Sequence, residues 1–149
     1  MKPNIRIAKR SDVPAIFALI QELALYEKAP EQVTNTAEQL SVDLFDKLLC
    51  EAIVAEKENQ VVGFALYYTS YSTWKGPCLY LEDFYVVESE RQHGIGQMLF
   101  DCIVETAKER KVQRMDWQVL AWNEPAIRFY EKQKAILDPE WLNGRMFFE

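Results

Sequence analysis

The residues with the clearest chemistry are Arg91-Gln92-His93-Gly94-Ile95-Gly96, followed by Gln97, between an apolar strand-like run and an amphipathic helical run. At a helix start the first N–H groups have no intrahelical partner, and the helix dipole adds a partial positive charge. Gly94 and Gly96 remove side chains there, so a phosphate group can approach the backbone closely. Arg91 can add a charge-assisted contact to the same group. The same residues would equally make a tight turn whose glycines pack the helix, because short glycine motifs recur for both reasons. No Gly-Lys-Ser/Thr follows, which excludes a Walker loop. Leu99 stands where a dinucleotide fingerprint needs its third glycine.

Upstream lie two adjacent carboxylates, Glu82 and Asp83, inside the apolar setting Leu79-Tyr-Leu and Phe84-Tyr-Val-Val87. Lone carboxylates are costly in such surroundings, which argues against an idle surface pair. Successive strand residues point to opposite faces, so the two enter one site together only if a bulge intervenes. Tyr130 beside Phe129 reads, on its own, as a core aromatic. Trp74 either offers its ring face to a cation or covers the core. His93 is the only histidine, and its loop position favours a backbone contact over base catalysis. Cys50, Cys78 and Cys102 are an odd number without close pairing, read as buried small apolar residues in a reduced protein. They and His93 lack metal-ligand spacing, so no metal is expected.

Elements must position these groups. Residues 5–8 alternate as a first strand, and Val13, Ile16, Phe17, Ile20 and Leu23 share a helical stripe with Ser11 as the expected N-cap. Thr36-Ala-Glu-Gln39 has the form of a capping box opening a second helix that carries Leu40, Leu44 and Leu48. Strands are expected at 52–55, 61–71 and 78–87, a helix from the glycine loop to about Arg110, and a strand at 113–120. Asn123 caps a last helix with Pro125 in its first turn, and Arg145–Phe148 is expected as a closing strand. Strand–helix units in the second half and a meander in the middle give an α/β (α+β) fold with a mixed sheet. Residues 1–149 read as a single domain.

The segments Leu81-Glu-Asp-Phe-Tyr-Val-Val87, Arg91 to Gly96 and Trp122-Asn-Glu-Pro-Ala-Ile-Arg-Phe-Tyr130 together resemble the Gcn5-related N-acetyltransferases (GNAT family). Glu22-Leu-Ala-Leu-Tyr-Glu-Lys28 and Tyr71-Ser-Thr-Trp-Lys-Gly76 are similar to its spermidine/spermine (diamine) and thialysine acetyltransferase branch, and Ser72-Thr73 tilts toward the thialysine side. The resemblance implies a central mixed sheet with an antiparallel N-terminal meander and parallel C-terminal strands flanked by helices. It implies acetyl-CoA as cosubstrate, strand-paired along Phe84, Tyr85 and Val86. Arg91, Gln92, His93, Gly94, Ile95, Gly96 and Gln97 would hold its pyrophosphate, and Asn123, Glu124, Pro125 and Ala126 would meet the pantetheine side. Tyr130 is the implied general acid and Glu82 the implied base, acting through water on a small cationic amine by direct transfer. Tyr26, Glu27, Glu82, Asp83 and Trp74 are the implied amine-binding residues, with Glu140 a further candidate, and a homodimer is implied. The sequence departs from the family pattern at Lys134-Ala135, where Gly-Ala is usual.

Across the 149 residues, 17 Lys+Arg against 23 Asp+Glu give a net charge of -6, which disfavours nucleic acid and anionic lipid and suits cationic ligands. No apolar run approaches a membrane span, and the first residues lack a secretory signal, so a cytoplasmic location is expected. Peptide acetylation and a non-catalytic acyl-CoA sensor are the alternative readings.

Overall fold

A computed structural model describes residues 2–148, and the chain forms two compact units that meet at Gln118 and Val119. The first unit holds a five-stranded sheet in the order β1-β2-β3-β4-β5: Asn4–Ile7, Glu51–Lys57, Gln60–Ser72, Gly76–Val86 and Met115–Asp116. The first four strands pair antiparallel, and β5 runs parallel to β4. This is the mixed sheet expected from the order of elements.

Two helices, α1 (Val13–Tyr26) and α2 (Ala37–Phe45), cover one face of the sheet. Ile16, Leu19, Leu40 and Leu44 pack there against Ala52, Val54, Phe64, Leu66 and Tyr85. Helix α2 opens at the predicted Thr36 cap, Thr36 Oγ1 accepting from the Gln39 N–H at 3.1 Å. The expected box is only half made, because Gln39 Nε2 donates forward to Asp43 Oδ1 at 3.0 Å. The start of α1 differs. A short 3₁₀ turn at Arg10–Asp12 precedes it, and the buried Asp12, not Ser11, fixes the entry. Its carboxylate accepts from the Lys9 N–H at 2.7 Å and from both Arg6 guanidinium nitrogens. A charged, doubly bonded acceptor outcompetes a serine hydroxyl for this position. Leu48 lies beyond α2, exposed, with a φ of 54°.

The opposite face carries α3 (Ile95–Glu109), whose Ile95, Leu99, Ile103 and Ala107 are buried in one stripe. Gly63 on β3 allows this helix to approach: a Cβ there would stand 3.0 Å from the Tyr85 carbonyl oxygen and 3.2 Å from Leu99 Cδ1.

Two expected strands change. The run 113–120 pairs only at Met115–Asp116 with Leu79 and Tyr80, which leaves the outer edge of β4 beyond Tyr80 without a β5 partner. Arg145–Phe148 forms no strand; Met146, Phe147 and Phe148 are exposed. A strand needs a partner as well as a suitable pattern, and local sequence carries only the second.

The second unit contains α4 (Glu124–Lys132). Asn123 caps it as predicted, its Oδ1 accepting from the Ala126 N–H at 3.4 Å. At the far end the Ala135 N–H donates to the Tyr130 carbonyl and the Lys134 N–H to the Glu131 carbonyl. This is a Schellman closure, and Lys134 sits in its left-handed position at φ 64°. The departure from glycine leaves the helix end intact, at the cost of a strained lysine backbone.

Among the described residues, no helix is long and apolar enough to cross a membrane.

Candidate active site

The centre of β4 contains one residue more than β3 can pair. Leu66 stands opposite Asp83 and Tyr67 opposite Leu81, so Glu82 is the extra residue of a β-bulge. Leu81 shares with Tyr67 the face covered by α3. Glu82 alternates from it to the α1/α2 face, and Asp83, opposite Leu66, lies on that face too. The condition set by strand geometry for both carboxylates to enter one site is therefore met.

Their surroundings agree. Tyr68 Oη lies 3.5 Å from Glu82 Oε1, and the Tyr68 ring stacks on Tyr80 at 5.2 Å between centroids. Burial, followed by the charges of Glu82 and Glu27, pushes the Asp83 carboxyl up to about 7. Glu27, just after α1, is also raised by burial. Three carboxylates from two elements thus share one electrostatic neighbourhood, Glu27 and Glu82 each close enough to perturb Asp83. An ammonium group entering here would gain opposite charges in a partly desolvated setting, where they count most.

The sequence does not mark Tyr68 or Tyr80 as site residues. They read as ordinary members of alternating strands, and only the register opposite the bulge marks them as neighbours of Glu82. Trp74 was expected beside the amine. It lies on the β3–β4 turn, 81% exposed, with its N–H and that of Lys75 donating to Ser72 Oγ. Roughly 20 Å of strand separates that turn from Glu82, and the structure does not bring the two together.

The bulge also sets the backbone parity of the strand end. The Val87 N–H donates to the Val62 carbonyl, so residues 85 and 87 turn their backbone groups to β3. Phe84 and Val86 turn theirs to the outer edge, which β5 does not reach. The loop beyond folds back at Gln92 and Gly94, with φ values of 67° and 81°. Gly94 is the N-cap of α3, with no capping side chain, and a Cβ added there meets nothing within 4 Å. An uncapped 15-residue helix start behind an open loop fits a pyrophosphate. The extended edge beside it suits an amide-bearing chain.

Arg91 opens this loop and is held in place. Its Nε donates to the Val86 carbonyl at 2.9 Å, and its guanidinium lies over the rings of Tyr26 and Tyr85, at 5.4 and 5.2 Å from their centroids. Glu90 ties the loop to β2, its Oε1 2.7 Å from Lys57 Nζ and 3.7 Å from His93 Nδ1. The exposed His93 thus stands beside a carboxylate already paired with lysine.

In the second unit Asn123, Glu124, Pro125 and Ala126 form the start of α4, and the buried Tyr130 packs edge-to-face on Phe129 at 5.6 Å. Glu140 is exposed there. Burial pushes the Cys50 and Cys102 thiols up, away from the thiolate form a nucleophile needs. Among the described residues no group of side chains is arranged to hold a metal ion.

Residues 15–134 match the Acetyltransferase (GNAT) family. The chain belongs to that family. It is 41% identical over 136 residues to the thialysine N-epsilon-acetyltransferase of Bos taurus, covering 85% of this chain and 80% of the relative. The spermidine/spermine N(1)-acetyltransferase-like protein 1 of Homo sapiens is 36% identical over 89% of this chain, which spans 20% of that longer protein. An aminoglycoside acetyltransferase from a soil metagenomic sample, solved with trehalose, superposes with a TM-score of 0.81. The match covers 99% of this chain and 97% of that one at 20% identity, a likeness of fold. The α/β architecture of this GNAT acetyltransferase and its family assignment agree with what the sequence motifs imply.

Proposed function

We propose that this acetyltransferase moves the acetyl group of acetyl-CoA onto a primary amine of a small cationic substrate, an aminoalkyl amino acid of the thialysine type ahead of a diamine or polyamine. The observation that carries this is the placement of Glu82 and Asp83 on one sheet face, with Glu27 close by. Ser72-Thr73 and the names of the relatives support the thialysine preference.

In this reading the loop Arg91–Gln97 receives the pyrophosphate, the edge at Phe84 and Val86 the pantetheine, and Asn123–Ala126 its far side. The amine enters as an ammonium held by Glu27 and Asp83, with Tyr26 beside it. Glu82 takes its proton through water, because an amine with pKa near 10 is mostly protonated at neutral pH. The neutral nitrogen attacks the thioester carbonyl, a C–N bond forms, the C–S bond breaks, and Tyr130 protonates the departing thiolate. The working form is a cytoplasmic homodimer.

Thiol release across thialysine, lysine, putrescine, spermidine, spermine and a basic peptide tests the substrate class, with sedimentation velocity for the dimer. Turnover of a small amine is expected. Turnover of the peptide alone would replace the small-amine reading with peptide acetylation. Acetyl-CoA binding without any turnover would favour a sensor.

A further inference from the structure

The cofactor loop and the end of the helix that leads to the amine-side residues are joined through one side chain. Arg91 is the first residue of the loop, and Tyr26 is the last residue of α1, immediately before Glu27. The guanidinium lies over the Tyr26 ring at 5.4 Å and over Tyr85 at 5.2 Å, while Nε donates to the Val86 carbonyl at 2.9 Å. Tyr85 is buried and part of the core under α1, so it is the fixed wall of this arrangement. Tyr26 is the outer wall, 38% exposed, at a helix end.

The Val86 carbonyl belongs to the outer edge of β4, where a strand-like ligand would pair, and Arg91 already occupies it. A ligand that pairs with this edge or draws the guanidinium toward a phosphate must therefore act on the same side chain that rests on Tyr26. A cation over an aromatic face is a directional contact, stronger where partly desolvated. Moving Arg91 thus changes the hold on Tyr26 and the placing of Glu27 one residue on.

We infer that Arg91 is a positioning residue that couples the two substrates, so that filling the cofactor loop changes the affinity of the amine site through the Arg91–Tyr26 contact. This rests on the acetyl-transfer reading above and adds a thermodynamic link between its two sites. By linkage the effect is reciprocal: the amine changes cofactor affinity by the same factor.

The test is calorimetric titration of thialysine, and in parallel spermidine, into the full chain with and without saturating desulfo-CoA, which binds without reacting. For the wild type the two amine dissociation constants are expected to differ by about fivefold or more. In Arg91→Gln and Tyr26→Leu the ratio should collapse to one, whereas Tyr26→Phe, which keeps the ring face, should restore it. Desulfo-CoA affinity measured without amine should shift in Tyr26→Leu and return to the wild-type value in Tyr26→Phe, because the cofactor acts on a contact that only the ring provides. Equal amine affinities in the wild type, or an unchanged ratio in folded Arg91→Gln, would overturn the coupling and leave the acetyl-transfer reading standing. A wild-type chain that binds no desulfo-CoA would remove both.

Discussion

Glu82 and Asp83, consecutive in the chain, leave β4 on the same face of the sheet because Glu82 is the unpaired residue of a bulge opposite Leu66 and Tyr67. A regular strand would send one of them under α3. The shared face makes them inequivalent partners, since Glu82 is exposed beside Tyr68 while Asp83 is largely withdrawn from water. The exposed member suits proton exchange with water and the withdrawn one suits binding a cation.

Glu82→Gln should therefore lower kcat at neutral pH, on the order of a hundredfold for loss of a general base. Part of the loss should return above pH 9, where more of the amine is already neutral. Steady-state thiol release from pH 6 to 10 checks this, and a pH-independent deficit would remove Glu82 from proton transfer.

Asp83 gives a prediction about stability. Its folded-state pKa of about 7 lies above the usual carboxylate range. Between that range and pH 7 the folded chain therefore holds more proton than the unfolded chain, and stability falls as pH rises across the window. Asp83→Asn should melt close to the wild type near pH 4.5 and gain roughly 5 °C over it by pH 8. Its KM for the amine should rise at the higher pH. An Asn advantage that is constant with pH would contradict the elevated carboxyl.

Tyr130→Phe keeps the buried ring and its edge-to-face contact with Phe129 but removes the proton. The expected result is a kcat lower by about two orders of magnitude with unchanged amine KM and melting temperature. Unaltered turnover would mean that the thiolate finds its proton elsewhere.

Lys134→Gly should stabilise the chain by about 1 kcal/mol, because Lys134 holds a left-handed backbone that glycine adopts without strain. Urea unfolding at one pH measures it. A neutral or negative effect would show that the added freedom of the unfolded glycine outweighs the relief.

Much of this architecture was readable from local signals. Thr36, Asn123 and the Gly94 loop announce helix starts through chemistry that operates within a few residues, and each is found in place. What was not readable depends on partners distant in sequence. The bulge exists only relative to β3, so no inspection of Leu81-Glu-Asp-Phe84 alone could place both carboxylates on one face. Tyr68 and Tyr80 looked like alternating strand residues until register put them beside Glu82. Asp12 displaced Ser11 at the head of α1 because Arg6, on a neighbouring strand, pairs with it. The apolar pattern at 145–148 was real but had no partner strand to pair with.

The extra residue at Glu82 also bears on how this chain can change over evolutionary time. Removing Glu82 would restore strict alternation while Asp83 stayed opposite Leu66 and Phe84 to Val86 kept their present partners on β3. The extra carboxylate can therefore be gained or lost without turning the strand end over, and the cost of losing it falls on the amine side alone. Length variation among descendants of this chain is expected at this point of β4 as well as in the turn at 73–75, with the register from Asp83 to Val86 held constant.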